Sequence, residues 1–336
     1  MYRDKKILII GGTGTIGYHL AKRLLEEKPK VIRIFSRDEY KQYQMSIDFH
    51  AHATHLRFLI GDVRDYQRLL RAMEDIDYVF HLAAMKHVPF CEYNPFEAVQ
   101  TNVIGTQNVI QAAIQAGVKK VLFTSTDKAI SPTNTYGATK LMAERLISAA
   151  EYQKGPKATI FSSVRFGNVM GSRGSVIPLF KKQILEEQRV TVTDPNMVRF
   201  MMTPTQAITL ILQANSMAKG GEVYVLKMPL IRLGDLAEAM VEVVAQKYGL
   251  QKEIRIDQIG LRPGEKMFEE LMTSDEHSIA SETNEMYIIP SIFESVKSEY
   301  FHRGHITMGS TVNSAVSIEL IDKNTLTQWL LNEALI

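Results

Sequence analysis

Short apolar runs alternate with helical spacing through the first half of the chain. Residues 5–10 (KKILII) end at glycine and predict a buried strand. In residues 18–28, Leu20, Leu24 and Leu25 share one helical face. Further strands are predicted at 31–35, 56–60, 77–83, 119–125 and 158–166. A helix is expected over 95–117, with Gly105 as a point of interruption and Gly117 as the stop. Another begins near Tyr136. Strand and helix in repeated alternation predict an α/β fold, with a parallel sheet covered by helices on both faces. The second half is less regular. Residues 167–205 read as mostly irregular; 222–228 read as a strand and 233–249 as a helix. The last fifty residues carry weak strand signals and a closing helix over 324–335. With no clear linker, a first domain over 1–166 and a smaller lobe drawn mainly from 167–336, interleaved with it, are expected.

Composition narrows the class. The chain has 336 residues, 45% hydrophobic and 23% charged, enough for a core that needs no staples. A formal charge of +2 gives no global field for nucleic acid. Cys91 is the single cysteine, so no intramolecular disulfide forms. The apolar run at the start is too short for a signal peptide, and no stretch approaches the roughly 20 apolar residues of a membrane span. A cytoplasmic protein is expected.

The first candidate site is the segment Gly11, Thr13, Gly14, Thr15, Ile16 and Gly17, which joins a strand to a helix. Its Gly-x-x-Gly-x-x-Gly spacing permits a tight turn and close backbone approach to a ligand. The helix start then offers free N–H groups to a pyrophosphate. This predicts a Rossmann-type dinucleotide site. At the end of the second strand, where an NAD site carries an acid, stand Ser36 and Arg37, with Lys41 nearby. A guanidinium suits a 2′-phosphate, so NADP is the expected cofactor. Asp38 in the NAD role is the competing reading. Asp62 and Val63, after the third strand, are positioned to flank the adenine.

The second candidate site is 123–140, FTSTDKAISPTNTYGATK. It leaves a strand at its carboxyl end, where ligands bind in such sheets. Tyr136 and Lys140 are four apart and share a helical face. A nearby ammonium and a nicotinamide cation would lower the phenol's pKa and make Tyr136 a base.

The combination of the glycine loop, HLAAMKHVP (81–89), Asn102, STDKA (125–129), YGATK (136–140) and RFGNVMGSRGSVIP (165–178) resembles the extended short-chain dehydrogenase/reductases. Within them it looks like the soluble, configuration-inverting UDP-N-acetylglucosamine 4,6-dehydratases. The match runs from about residue 3 to residue 275, and the tail beyond about 280 adds little. The resemblance implies that Leu82, Ala83, Ala84 and Asn102 join the cofactor site. It implies Lys128 as the base at C5 of the sugar, Asp127 as the acid, and Thr126 at a sugar hydroxyl. Lys86 would lie near the sugar, and Asn168 and Val169 near the pyrophosphate. Ile177, Thr193, Arg199, Arg262 and Glu265 would surround the uridine diphosphate, and relatives imply a homo-oligomer.

A 4,6-dehydration needs an acid/base couple beyond the Tyr/Lys pair, whereas a 4-epimerisation does not. Asp127–Lys128 therefore favours dehydration over a UDP-hexose 4-epimerase, a bifunctional dehydratase/epimerase or a non-catalytic NADP sensor. Met is common at the position of Tyr136 in membrane-bound relatives. The sequence departs from the pattern at Thr15-Ile16, where Ser-Phe is usual, at Ser131, where Asn is usual, and at Thr135, where Leu is usual. No metal is expected: Asp48, His50, His52 and His55 match no strong ligand spacing and read as a solvated face. MVRFMM (197–202) reads as core or pocket wall, and Cys91 as a packed side chain.

Overall fold

The computed structural model describes residues 1–251, 253–262, 264–291 and 320–336. Its centre is a nine-stranded sheet in the order β3-β2-β1-β4-β5-β6-β10-β14-β13. The first six strands are β1 (Lys6–Ile10), β2 (Val31–Ser36), β3 (Leu56–Ile60), β4 (Tyr78–His81), β5 (Lys120–Thr124) and β6 (Ile160–Arg165). All pair in parallel, with Ile9 opposite Ile34 on one side and Phe80 on the other. Order reverses at β1, which lies between β2 and β4, so a crevice opens beyond their carboxyl ends.

Both faces are covered because each strand alternates its apolar side chains. Ile7 and Ile9 face α1 (Thr15–Glu26) and α9 (Pro204–Met217), meeting Leu20, Leu24, Ile208 and Ile211. Leu8 and Ile10 face α3 (Tyr66–Met73), α6 (Gly105–Ala116) and α7 (Thr135–Gln153), meeting Leu69, Val109 and Ile147. The helix expected over 95–117 is continuous. α5 (Pro95–Val99) runs through a wide π turn at Gln100–Ile104 into α6. The glycine at 105 follows that turn and marks a close contact: a Cβ there would lie 2.7 Å from a Val63 methyl.

Chain order and spatial order part company after β6. β10 (Val223–Leu226) adds to the sheet in parallel, and β14 (Met286–Ile289) and β13 (Ser281–Glu282) extend it antiparallel. Residues beyond 166 thus complete the sheet and one helical layer, while others form a separate apolar core. That core holds Phe180 and Ile184 of α8 (Val176–Glu187), Met240 and Val244 of α10 (Leu233–Tyr248), and Leu326 and Leu330 of α12 (Lys323–Asn332). The closing helix is therefore a structural wall of this second core. Of the weak strand signals in the last fifty residues, β14 accounts for the first; those at 292–319 lie outside the described residues.

The irregular reading of 167–205 is corrected. The stretch contains α8, β7 (Asn168–Val169), β8 (Arg189–Val192) and β9 (Val198–Met202), and leads into α9. Pro178 concealed α8, yet it lies in the first turn, where its missing N–H costs nothing. Helix α9 carries a capping box between Thr203 and Gln206 and a proline in its first turn.

One polar bolt joins the two halves. Arg165, fully buried at the end of β6, binds Glu144 of α7 at 2.6 Å and Glu276 at 2.8 Å. It also donates to the Leu271 carbonyl at 2.8 Å. Glu276 lies in α11 (Ser274–Ile279), so the pair fastens the segment before it to the sheet.

Candidate active site

The crevice between β1 and β4 is lined by backbone. Gly11 has φ +81°, and a Cβ there would come within 2.7 Å of the Ala83 nitrogen. A Cβ at Gly17 would lie 2.5 Å from the Gly12 carbonyl oxygen. Helix α1 starts at Thr15, inside the glycine motif and three residues before the expected start at 18, with Gly14 as N-cap and no side chain capping it. Its first N–H groups, with the helix dipole behind them, fit a dinucleotide pyrophosphate. Leu82, Ala83 and Ala84 follow β4 along this crevice, with the Leu82 N–H donating to Ile10 at 2.9 Å.

Charge gathers at the end of β2. Arg37 is exposed and lies 3.6 Å from Asp62, which Arg64 also grips at 2.7 Å. Lys41 pairs with Asp38, the N-cap of α2 (Glu39–Asp48), at 2.5 Å. Ser36 is committed elsewhere: its hydroxyl accepts from Gln42 at 3.0 Å, and Gln42 also reaches Leu59. Val63 is buried beneath Gly105. Asn102 is buried and fully occupied. It joins the Met85 backbone at 2.8 and 3.0 Å and donates to Thr139 at 3.0 Å, so its side chain ties the loop after β4 to α7.

Beyond β5 the chain makes a tight turn, Asp127–Ala129, capped by Thr126. The Thr126 hydroxyl donates to Asp127 Oδ1 at 2.9 Å, and Lys128 Nζ donates to the same oxygen at 3.0 Å. Asp127 is completely buried, and its Oδ2 has no hydrogen-bond partner. That oxygen faces the Gly167 position, where a Cβ would stand 3.0 Å away. A surface turn would show neither burial nor an orphaned oxygen. Burial opposes the charge on Lys128, but Asp127 and a second carboxylate, Glu269 at 3.7 Å, outweigh it and hold the ammonium above the usual lysine value.

Tyr136 and Lys140 stand on the first turns of α7, which Asn134 caps through Gly137 at 2.9 Å. The expectation of a lowered phenol is corrected for the protein alone. Burial pushes Tyr136 up, against a hydrogen bond with Thr126 and the charge of Lys128. Lys140 turns instead to the Thr124 carbonyl and sits 3.9 Å over the Phe123 ring. Burial brings it down to about 7, so it is a weak cation here.

A cavity of about 270 Å³ opens beside this turn. Asn168, Val169, Ile177, Thr193, Arg199, Arg262 and Glu265 all line it, together with Lys128. Their roles differ. Arg199 spends its guanidinium on the Val198, Lys266 and Met267 carbonyls at 2.8–3.1 Å. Glu265 closes a turn by accepting from the Arg262 N–H at 3.2 Å. Pro263 in that turn lies outside the described residues. Lys86 is not among the lining residues; its ammonium lies 3.5 Å from the Ser172 hydroxyl. Burial, then the cations Arg173 and Lys128, hold it below the usual lysine value.

A family model described as polysaccharide biosynthesis protein matches residues 7–291. The chain belongs to this family, within the extended short-chain dehydrogenase/reductases. An uncharacterised membrane protein of Methanocaldococcus jannaschii is 50% identical, covering 86% of each chain. An inverting UDP-N-acetylglucosamine 4,6-dehydratase of Campylobacter jejuni is 45% identical over 87% of this chain and 85% of its own. A UDP-glucose 4-epimerase of Rickettsia typhi is 43% identical over 86% and 84%. The crystal structure of Pen from Bacillus thuringiensis is 54% identical, with a TM-score of 0.89 over 100% of this chain and 99% of that one. Among the described residues, no helix is long and apolar enough to cross a membrane.

Within this family frame, two residues emerge that the sequence motifs did not single out. Arg173 reaches from the loop before α8 to the glycine loop, binding the Thr13 carbonyl, while its N–H donates to Thr15 Oγ1 at 3.1 Å. It sits inside the RFGNVMGSRGSVIP motif, so the motif held the signal. Glu269 is 141 positions from Lys128, and no local pattern joins them. The histidines at 50, 52 and 55 occupy an exposed turn, and no group of metal-ligating side chains occurs among the described residues. Cys91 is buried, and burial pushes its thiol up to about 11, as befits a packed side chain.

Proposed function

We propose that this chain is an NADP-dependent UDP-N-acetylglucosamine 4,6-dehydratase that inverts C5 and releases a UDP-4-keto-6-deoxy-hexosamine. The observation that carries the reading is the buried Asp127–Lys128 contact beside Tyr136. A 4-epimerisation leaves that couple without work. Gly11, Gly14, Gly17 and the start of α1 would hold the pyrophosphate, and Arg37 and Lys41 would meet a 2′-phosphate. A bound nicotinamide dinucleotide supplies a reversible hydride acceptor, and its oxidised ring favours the Tyr136 phenolate.

Tyr136 then takes the proton of the C4 hydroxyl. The resulting ketone acidifies the C5 proton. Lys128 is an ammonium at rest, so it first passes a proton to Asp127 across their 3.0 Å contact. The neutral amine takes the C5 proton, and the protonated Asp127 delivers its own to the departing C6 hydroxyl. One proton has moved from carbon to water and the pair is restored; the alkene left between C5 and C6 would take back at C6 the hydride removed from C4, and a solvent-derived proton at C5 on the opposite face. Thr126 would hold a sugar hydroxyl. Lys86, Asn168, Val169, Ile177, Thr193, Arg199, Arg262 and Glu265 would enclose the nucleotide. The same reading carries a cytoplasmic homo-oligomer, by resemblance.

A second reading, a UDP-hexose 4-epimerase, is favoured by relatives named UDP-glucose 4-epimerase at 43% identity. Incubation with UDP-N-acetylglucosamine in D2O separates the two. A 4-keto-6-deoxy product carrying deuterium at C5 supports dehydration. A C4 epimer formed without loss of water would sink it.

A further inference from the structure

We infer that Glu269 is a positioning residue for Lys128: a second carboxylate, brought from 141 positions along the chain, that fixes the ammonium at the cavity and keeps it charged there. The inference deepens the dehydratase reading and rests on it for the chemistry, though not for the geometry.

Lys128 lies between two carboxylates of separate origin. Asp127 comes from the turn after β5 and is 3.0 Å away; Glu269 comes from the segment ahead of α11 and is 3.7 Å away. Both are shielded, with Asp127 fully buried and the Glu269 side chain 6% exposed. An ion pair at that depth is screened far less than one at the surface. Lys128 and Glu269 also line the same cavity, so the ammonium is held where a ligand would meet it.

The placement of Glu269 is built in. Lys266 donates to the Ile130 and Ser131 carbonyls at 3.2 and 2.7 Å, which laces the Glu269 segment onto the loop of the catalytic turn. Arg199 grips the Lys266 and Met267 carbonyls from β9, and Arg165 grips the Leu271 carbonyl from β6. Two arginines from two strands therefore hold the backbone on either side of this one glutamate, and Lys266 of the segment itself ties it to the catalytic turn.

The charges around the pair decide the sign. Asp127, Glu269 and Tyr136 face Lys128, and Arg199 and Lys266 face Glu269. Lys86 feels Lys128 from the loop after β4. Burial raises Glu269, with Asp127 adding to it and Lys128, Arg199 and Lys266 opposing. A negative Glu269 favours the charged form of Lys128, so removing that charge moves the loss of the Lys128 proton toward acid.

The test uses the full-length protein and two variants, Glu269→Gln and Glu269→Asp. The side-chain 15N resonance of Lys128, assigned by its loss in Lys128→Ala, is titrated in protein without substrate. Glu269→Gln is expected to lower the Lys128 midpoint by about one pH unit, while Glu269→Asp keeps it nearer the wild type. With UDP-N-acetylglucosamine, the limb of the kcat–pH profile that follows Lys128 should move toward acid in Glu269→Gln, with KM changing less than kcat. An unmoved Lys128 midpoint in a folded Glu269→Gln variant would overturn the inference, as would a uniform loss of kcat with the profile in place. If Glu269→Gln does not fold, Glu269→Asp decides: the retracted carboxylate should shift the midpoint partway, and no shift overturns the role. If the wild type fails to dehydrate the sugar nucleotide, the functional proposal falls, and the resonance still judges Glu269 on its own.

Discussion

At the glycine loop the protein offers backbone; beyond β5 it offers charged side chains. Gly11 and Gly17 strip away Cβ atoms so that main chain can approach main chain, and the uncapped start of α1 leaves N–H groups for an anion. The floor of the cavity is different. Asp127 and Glu269 crowd the Lys128 ammonium where water is scarce, and the two carboxylates together hold its charge. A backbone cradle is tolerant, because it depends on shape and on a dipole that no proton can remove. A cluster of buried charges is sensitive, because removing one member leaves the rest unpaired. Substitutions should therefore separate the two regions by size of effect.

The largest effect is expected at Lys128. Lys128→Ala should reduce kcat for water elimination by about a thousandfold, the range of a lost general acid/base group. Affinity for the dinucleotide, read by fluorescence titration, should stay within about twofold. Normal turnover in this variant would refute the role given to Lys128. A parallel loss of cofactor would mean that the two regions are not separable.

Next in size is the bolt that holds the cavity segment to the sheet. Glu276→Ala leaves the buried Arg165 with one of its two carboxylates and should cost about 3 kcal/mol in denaturant unfolding. The pH dependence follows from direction. Burial acts against the Glu276 carboxylate, but the bond and charge of Arg165 prevail and hold its pKa below the ordinary 4.5. Its contribution is complete above about 4.5 and is lost as pH falls through the lower folded value. Glu276→Gln should therefore flatten the stability curve below that point. An equally steep acid limb would show that other carboxylates govern it.

The two regions were also unequally legible in the sequence. The cradle is local: strand, glycines and helix occupy one short segment, and periodicity with glycine spacing places each of them. The Asp127–Lys128 turn and Tyr136 were legible for the same reason, as residues of one loop and the helix it enters. Glu269 was not, because it stands 141 positions from Lys128 and their tie exists only in the folded chain. Helix α8 was hidden by Pro178 and by glycines at 171 and 174, which read as breakers although they lie before the helix or in its first turn. Asn102 shows the converse limit. A motif position identifies a residue, but only the hydrogen bonds to Met85 and Thr139 reveal that its side chain is spent on holding the loop.

A smaller effect should fall on cofactor choice. Arg37 is exposed and shares Asp62 with Arg64, so no buried partner is stranded when it goes. Arg37→Ala should weaken NADP binding about tenfold or more and leave NAD binding nearly unchanged, since only the 2′-phosphate loses a charge-assisted bond. Equal affinities of the variant and the parent for NADP would remove Arg37 from the site.

The smallest effect tests the hinge between the regions. Ser131 has φ +43°, in the left-handed region where a side chain other than asparagine or glycine is strained. Asparagine visits that region at lower cost than serine. The Ser131 carbonyl receives Lys266 at 2.7 Å, so the backbone is held in that shape by the same segment that carries Glu269. The side chain itself is exposed, so replacing it disturbs no packing. Ser131→Asn should stabilise the protein by about 0.5 kcal/mol, seen as a slightly higher denaturant midpoint with an unchanged slope. Kinetic constants should hold, because neither carboxylate near Lys128 moves. A lower midpoint would mean that the serine hydroxyl contributes more than the strain costs. A changed kcat at an unchanged midpoint would mean that the turn and the charged cluster are coupled more tightly than their separate hydrogen bonds imply.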